Sequence, residues 1–356
     1  MRSLLVSLLV LAACTVDGGE PPSTGPNSAT SPTTAAPTTT SPESESATSL
    51  PGETTTSRTE EALVIEAFPV PAGSRPHDVA PAADGGVWYT AQGSGELGWL
   101  DPATGETRHV ALGAGSRPHG VIVDDEGTPW ITDGGLNAIV SVDPVSEEVT
   151  IHPLPDTSSG ANLNTAVFDE NGTLWFTGQD GVIGRLDSTG EIEVHPAPGG
   201  AGPYGITATP DGSVFFASLA GSYVGEVEDD GTVRVLEPPT PGQGARRVWS
   251  DSSGSVWVSE WNSGGVSRYD PSTGVWASWE LPGQAATYAV YVDDADVVWL
   301  SDFGGNAIVR FDPVTETFTR VALPHEPGEV RQLHGRPGEV WGAESAADHL
   351  VLIRTG

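Results

Sequence analysis

The sequence contains no lysine, a single cysteine and no apolar run long enough to cross a membrane as a helix. Its 15 basic residues, all arginine, oppose 48 acidic residues, which gives a formal net charge of −33. Such a surface repels phosphate backbones, so nucleic acid is not an expected partner. One cysteine can form neither an internal disulfide nor a thiolate metal cage. Serine hydrolase chemistry has no support either, because no Gly-x-Ser-x-Gly elbow lies between a strand and a helix.

The first 61 residues differ in composition from the rest of the chain. Residues 1–13 form a short apolar run behind Arg2, a pattern typical of a secretory signal. The tetrapeptide Leu-Ala-Ala-Cys that ends at Cys14 resembles a lipobox and predicts lipidation of Cys14. A plain signal peptide with an incidental cysteine is the alternative. Residues 14–61 are rich in Thr, Ser and Pro and are predicted to be a disordered tether, so we expect an extracytoplasmic lipoprotein attached to the cell membrane.

Within residues 62–356, seven aromatic residues recur at intervals of 40 to 45 positions. These marker aromatics are Trp88, Trp130, Trp175, Phe215, Trp257, Trp299 and Trp341. Self-similarity at this period is typical of a blade array, so we predict seven repeated units.

Each unit reads as four short strands separated by turn residues. In residues 117–157 the runs HGVIVD, PWITD, AIVSVD and EVTIHPLP are rich in β-branched or aromatic residues, and Gly, Asp, Asn or Pro fills the gaps. This pattern predicts an all-β, seven-bladed β-propeller of four-stranded antiparallel blades in one domain, residues 62–356. Residues 62–71 read as a fourth strand and residues 349–356 as a third strand. We therefore expect the N-terminal strand to complete the last blade.

Two positions of each unit are expected to face the central channel, which the innermost strands line. The first ring lies eleven residues before each marker, with one residue deleted in the last unit: His77, His119, Asn164, Tyr204, Arg246, Tyr288 and Arg331. The second ring lies three residues after each marker: Ala91, Asp133, Gly178, Ser218, Glu260, Asp302 and Glu344. Imidazoles and carboxylates together can bind a divalent cation or transfer protons. A set of solvated channel residues without a ligand is the alternative.

A copied hexapeptide marks the first two blades. Ala-Gly-Ser-Arg-Pro-His occurs at 72–77 and again at 114–119. Proline sets the backbone before the inner strand, so His77 and His119 are predicted to enter the channel side by side. Histidine suits proton transfer near neutral pH, although duplication of adjacent blades alone would also produce the copy.

The repeats resemble those of the streptogramin lyases, also called virginiamycin B lyases. The similarity is strongest in RPHGVIVDDEGTPWITDGGLNAIVSVD (117–143) and LWFTGQDGVIGRLD (174–187), and it covers residues 62–356. This resemblance implies a carbon–oxygen lyase that opens a cyclic depsipeptide or lactone by elimination. It also implies a Mg²⁺ ion that polarises the substrate and a histidine that moves the proton.

The family pattern can be carried over residue by residue. It implies His119 as the catalytic residue, His77 as a substrate-binding residue and Asp133 as a metal ligand. Arg117 stands where the pattern has a glutamate ligand, which opposes Mg²⁺ because a guanidinium repels the ion. Glu344, with Asp302 on the neighbouring blade, is then an alternative metal ligand.

Two other functions fit the same residues. One is a non-catalytic, surface-tethered propeller that binds a small molecule or peptide through the first ring, in which Asn164, Tyr204, Arg246 and Tyr288 are expected to contact the ligand. The other is a lactone hydrolase of the gluconolactonase type, which needs carboxylates and an asparagine in the channel. In every case we expect a monomer with its ligand at the channel mouth.

Overall fold

A computed structural model describes residues 63–200, 202–228, 230–283 and 285–355. The predicted signal, Cys14 and the tether lie outside these residues. Within the described ranges the chain forms 28 strands in seven four-stranded sheets, together with one 3-10 helix at Asp156–Ser158. The same ranges contain no helix with the length and apolar character needed to cross a membrane. The protein is a seven-bladed all-β propeller, as the spacing of the aromatics predicted.

Every blade consists of four strands, which run in the following order from the innermost strand outwards. Blade 1 is β2 Pro76–Pro81, β3 Val87–Ala91, β4 Glu96–Leu100 and β5 Thr107–Ala111; blade 2 is β6 Pro118–Val123, β7 Pro129–Asp133, β8 Ala138–Val142 and β9 Val149–Pro153; blade 3 is β10 Leu163–Phe168, β11 Leu174–Gly178, β12 Val182–Leu186 and β13 Ile192–Pro196; blade 4 is β14 Pro203–Ala208, β15 Val214–Ser218, β16 Tyr223–Val227 and β17 Val233–Leu236. Blade 5 is β18 Ala245–Ser250, β19 Val256–Glu260, β20 Gly265–Asp270 and β21 Val275–Glu280; blade 6 is β22 Thr287–Val292, β23 Val298–Asp302, β24 Ala307–Asp312 and β25 Thr317–Ala322; blade 7 is β26 Val330–Arg336, β27 Glu339–Glu344, β28 His349–Arg354 and β1 Ile65–Pro69.

The two ends of the described chain meet in blade 7. Strand β1 pairs antiparallel with β28, and the register runs from Ile65 opposite Ile353 to Pro69 opposite His349. Blade 7 thus has its outermost strand from the beginning of the propeller and its three inner strands from the end. This pairing covers the edge of β28, which would otherwise be the outer edge of a three-stranded blade.

The marker aromatics lie in the second strand of each blade and support the turn that precedes it. The indole N–H of Trp130 donates to Asp124 at 2.8 Å, and that of Trp257 donates to Asp251 at 2.9 Å. The same aspartates accept backbone N–H groups of the turn. In the blades of Trp130, Trp175, Trp257 and Trp299 this bond fixes the six-residue distance between the turn aspartate and the marker.

Hydroxyl groups next to the markers join neighbouring blades beneath the first ring. The Thr90 hydroxyl accepts from the N–H of Asp78 at 3.0 Å in its own blade and donates to the carbonyl of His119 in the next blade at 2.8 Å. Ser259 does the same between the N–H of Arg247 and the carbonyl of Tyr288, at 3.0 and 2.7 Å. The backbone of the first ring is therefore held by side chains of the preceding blade.

Candidate functional site

The structure brings the predicted first ring together at one end of the channel, which we call the channel mouth. The rings of His77 and His119 lie 3.9 Å apart, centre to centre, and the Asn164 amide nitrogen lies 3.3 Å from Nε2 of His119. On the other side, the Tyr204 hydroxyl bonds to that of Tyr288. All five side chains are at least 92% buried, so the mouth is a polar group largely shielded from water.

His77 is bonded to a carboxylate that is itself ion-paired. Its Nδ1 lies 2.7 Å from Oδ1 of Asp78, and Asp78 pairs with the Arg247 guanidinium at 3.0 Å. Because a carboxylate accepts, Nδ1 of a neutral His77 carries the proton and Nε2 keeps its lone pair. A histidine oriented in this way by an aspartate can act as a general base through Nε2.

A second chain of hydrogen bonds fixes the other histidine. Arg247 donates to the Thr165 hydroxyl at 2.6 Å, and this hydroxyl donates to the Asn164 carbonyl oxygen at 2.7 Å. The Asn164 amide nitrogen then donates to Nε2 of His119. A neutral His119 therefore carries its proton on Nδ1, and this atom is buried without a partner among the described residues. These hydrogen bonds leave His119 able to donate to a ligand through Nδ1–H and His77 able to accept from a ligand through Nε2.

Burial and nearby arginines keep both histidines neutral. Burial lowers the pKa of His77 well below its ordinary value, and the charges of Arg331 and Arg247 lower it further. Burial also lowers the pKa of His119, and His77 contributes in the same direction. Burial raises the pKa of Asp78, although Arg247 opposes that shift. At neutral pH the pair therefore offers one free imidazole nitrogen and one N–H group.

The opposite side of the mouth is cationic and aromatic. The Arg246 guanidinium stacks 3.4 Å from the centre of the Tyr288 ring and 4.3 Å from that of Trp261, and it donates to the Tyr204 hydroxyl at 3.3 Å. Burial raises the pKa of Tyr204, but Arg246 and Arg247 outweigh it and bring the pKa to about 8. The mouth thus has a neutral histidine side and a positively charged arginine side.

The second ring has other partners. Asp133 accepts from the Ser116 hydroxyl at 2.5 Å and from the backbone N–H groups of Arg117, Gly135 and Leu136 at 2.9 Å each. Glu344 is likewise buried, and it contacts Nδ1 of His325 at 2.7 Å. These carboxylates bond to loops at their own end of the blade. The predicted metal-binding role of Asp133 and Glu344 stays a prediction, and any ion would have to compete with these bonds.

Asp78 and Arg247 are site residues that were not predicted from the sequence. Both directly follow a first-ring residue, and in a regular strand successive side chains point to opposite faces. The inner strands are irregular at this point, since the register shifts between Pro76 and Val79 and again between Ala245 and Val248. Such a bulge lets two successive side chains reach the channel. No sequence signal for it is evident apart from the unusual charge of these two positions.

The Asp78–Arg247 pair also divides the channel. A cavity of about 270 Å³ lies beyond it, lined by Asp78, Arg247, Trp249, His334 and aliphatic residues of the inner strands. None of the first-ring side chains lines this cavity. This cavity is therefore separate from the mouth, and most of its lining is apolar.

The residues present do not fit a magnesium ion. Among the described residues, the one group able to offer three ligand atoms within 4.8 Å of one another is His77, Asp78 and His119. Two imidazoles and one carboxylate suit zinc better than Mg²⁺, which requires oxygen ligands. The Asp78 carboxylate is also neutralised by Arg247, and Arg117 is exposed at the position of the expected glutamate. Magnesium remains a prediction from resemblance.

The fold and the site define a closed β-propeller with a histidine pair at its channel mouth. The model of the virginiamycin B lyase family matches residues 33–287, and the chain belongs to this family. A virginiamycin B lyase of Nocardia farcinica is 38% identical over 106 residues. That alignment covers 29% of this chain and 36% of the relative.

Solved structures share the fold at low sequence identity. A streptogramin B lyase structure superposes with a TM-score of 0.76 at 23% identity, over 82% of this chain and 97% of the other. A catalytically inactive variant of the Staphylococcus aureus virginiamycin B lyase, in which alanine replaces a histidine, was solved with quinupristin. It superposes with a TM-score of 0.76 at 18% identity, over 83% of this chain and all of the other.

Proposed function

We propose that this protein is a carbon–oxygen lyase that opens an ester ring, in a cyclic depsipeptide or a lactone, by elimination at the channel mouth. The observation that carries the proposal is the complementary protonation of the histidine pair. His77 presents a free Nε2 lone pair because Nδ1 is engaged by Asp78, and His119 presents an Nδ1–H without a partner among the described residues. Family membership supports the same reaction type.

The reaction needs one proton transfer and one bond cleavage. Nε2 of His77 takes the proton from the carbon adjacent to the one that carries the ester oxygen. The electron pair of that C–H bond forms a carbon–carbon double bond, the C–O bond breaks, and the carboxylate leaves with the bonding pair. Nδ1–H of His119 donates a hydrogen bond to the oxygen on which charge develops. Asp78 and Arg247 keep the His77 ring in position and its proton on Nδ1.

These roles refine those that the resemblance implied. Both histidines still act at the reacting atoms, but the hydrogen bonds favour His77 as the base and His119 as the donor. In this proposal the side chains perform the reaction without Mg²⁺, because the ligand atoms of His77, Asp78 and His119 do not suit that ion.

The test uses purified full-length protein with quinupristin and with a simple macrocyclic lactone, followed by mass spectrometry. Elimination gives a linear product with the mass of the substrate, whereas hydrolysis adds one water. We expect His77→Gln and His119→Gln to lower kcat by about 10²- to 10⁴-fold, the usual contribution of a general acid or base. His152→Gln is the matched control, because His152 stacks on Trp130 in an outer strand and should leave kcat unchanged.

Two results would contradict the proposal. A product heavier by one water would assign the chain to the lactone hydrolases. Failure to open either ring under any of these conditions would remove the lyase function altogether. Retention of full activity with a chelator present is the expected result for a reaction without a metal ion.

A further inference from the structure

We propose that Arg246, with Arg331 beside it, binds a carboxylate group of the ligand at the channel mouth. Arg246 lies across the mouth from the histidine pair, and Tyr204 connects the two sides. The centre of the Tyr204 ring is 6.1 Å from that of His119, and the Tyr204 hydroxyl is 3.3 Å from the Arg246 guanidinium. A group held by Arg246 would therefore lie next to the atoms that react.

Arg246 lacks a counterion within the described part of the chain. Its hydrogen bond goes to a neutral hydroxyl, and its Nε is buried without a partner. The other two arginines that the inner strands bring to the mouth are paired, Arg247 with Asp78 at 3.0 Å and Arg331 with Glu329 at 2.7 Å. Of these three arginines, Arg246 is the one without an ion pair in the described residues.

An unpaired guanidinium in such surroundings is costly unless something else compensates it. Its aromatic neighbours Tyr288, Trp261 and Tyr204 supply cation–π attraction to the faces of the group. They do not satisfy its in-plane N–H donors, which form a fork whose geometry matches a carboxylate. The aromatic box thus holds the guanidinium in place and leaves its hydrogen-bonding edge for a ligand.

The charge distribution around the mouth favours an anion. Although the net charge of the chain is −33, Arg75, Arg331, Arg246 and Arg247 all act on the pKa of His77. Arg331 lies 5.9 Å from the centre of the Tyr288 ring, which Arg246 also contacts. A local positive region in an acidic protein attracts anionic ligands to this one place.

The carboxylate can come from two sources. It can already be present on the substrate, or it can be the carboxylate that leaves when an ester is cleaved by elimination. The second source rests on the proposed lyase function, and the first does not. In both cases Arg246 recognises the same group, so binding can be tested without turnover.

Isothermal titration calorimetry with benzoate and benzamide tests the site, because the two probes share shape and differ in charge. We expect benzoate to bind at least about tenfold more tightly, equivalent to about 1.4 kcal/mol, and Arg246→Gln to remove that preference. Arg268→Gln is the matched control. It removes the same charge from the same blade, where Arg268 stacks on Trp257, and it should keep the preference.

Equal affinity for the two probes, or a preference that survives Arg246→Gln, would overturn the proposal. Arg246→Lys provides a second variant if the glutamine variant does not fold. Lysine keeps the positive charge but lacks the paired N–H donors of a guanidinium. The preference for benzoate over benzamide should therefore fall by several fold without disappearing.

The two sources are separated by titrating quinupristin and its ring-opened form into the His77→Gln variant. Tighter binding of the ring-opened form identifies the leaving carboxylate as the bound group. Equal binding of the two forms, with the benzoate preference intact, shows that the leaving carboxylate is not the group that Arg246 binds. The benzoate preference stands even if quinupristin is never opened, so failure of the lyase function and failure of this site give different results.

Discussion

The two rings of polar residues look alike in the sequence but differ in how their side chains are used. First-ring residues lie at the start of the inner strands and keep free valences, such as Nδ1 of His119 and Nε of Arg246, which have no partner among the described residues. The second-ring carboxylates of Asp133 and Glu344 lie at the end of the next strand and bond to loops. Glu260 of the second ring differs from these two, because its Oε1 is buried without a partner among the described residues. Polarity alone therefore does not identify a site in a propeller, and the hydrogen bonds of each side chain have to be compared as well.

The largest expected effect is a loss of stability when a second-ring carboxylate is removed. Asp133→Ala removes the acceptor of three backbone N–H groups and one hydroxyl from a fully buried position. Because these donors would stay without partners, we expect the free energy of unfolding to fall by about 3 kcal/mol. Urea denaturation followed by circular dichroism measures the loss, and the affinity for benzoate should stay unchanged.

Asp143→Ala is the matched control for this variant. Asp143 also accepts two backbone N–H groups, from Val145 and Ser146, but in an exposed turn. Asp143→Ala should lower the free energy of unfolding clearly less than Asp133→Ala does. If Asp133→Ala instead left stability intact and abolished a metal-dependent activity, Asp133 would belong to the catalytic site, and the contrast between the rings would be lost.

Most of the architecture could be predicted from the sequence, because each blade needs the same turn, the same aromatic and the same strand order. The bond between the Trp257 indole and Asp251 shows how a tryptophan keeps a fixed place relative to the turn of its own blade. The first ring could be predicted as well, since a fixed offset from the marker leads to His77, His119 and Arg246. A fixed offset from the marker predicts the channel-facing residue wherever each blade repeats the same backbone geometry.

The ion pair and the use of the second ring could not be predicted by counting. Asp78 and Arg247 reach the channel because a bulge interrupts the alternation of the inner strands. The Thr90 hydroxyl, which donates to the carbonyl of His119, links these strands across blades. Asp133 was expected to face the channel, but the local loop offers it four donors at close range. Which partner a carboxylate chooses depends on three-dimensional geometry that the repeat period does not contain.

A middle-sized effect tests how the first ring is positioned. Thr90→Val is nearly isosteric, but it leaves the N–H of Asp78 and the carbonyl of His119 without their shared hydroxyl. We expect a loss of about 2 kcal/mol in unfolding free energy and weaker activity, because both site residues can shift. Thr150→Val, on an exposed outer strand, is the control and should be neutral. A stable Thr90→Val protein with full activity would show that the first ring does not depend on the blade-bridging hydroxyls.

The smallest effect concerns the protonation state of the first ring. Burial, followed by the charges of Arg331 and Arg247, lowers the pKa of His77 in the folded protein, whereas the unfolded chain titrates near pH 6.5. Below about pH 6.5 the unfolded state therefore binds a proton that the folded state does not. The contribution of the neutral histidine to the free energy of unfolding is fully present above this pH and is lost as the pH falls towards the lowered pKa. The loss is about 1 kcal/mol per histidine between about pH 7 and pH 5.5. Urea midpoints across this range should show a shallower pH slope for His77→Gln. A steeper slope for His77→Gln would mean that the folded protein holds His77 protonated against Asp78, so that His77 could not be the base. An unchanged slope would mean that folding does not lower the pKa of His77.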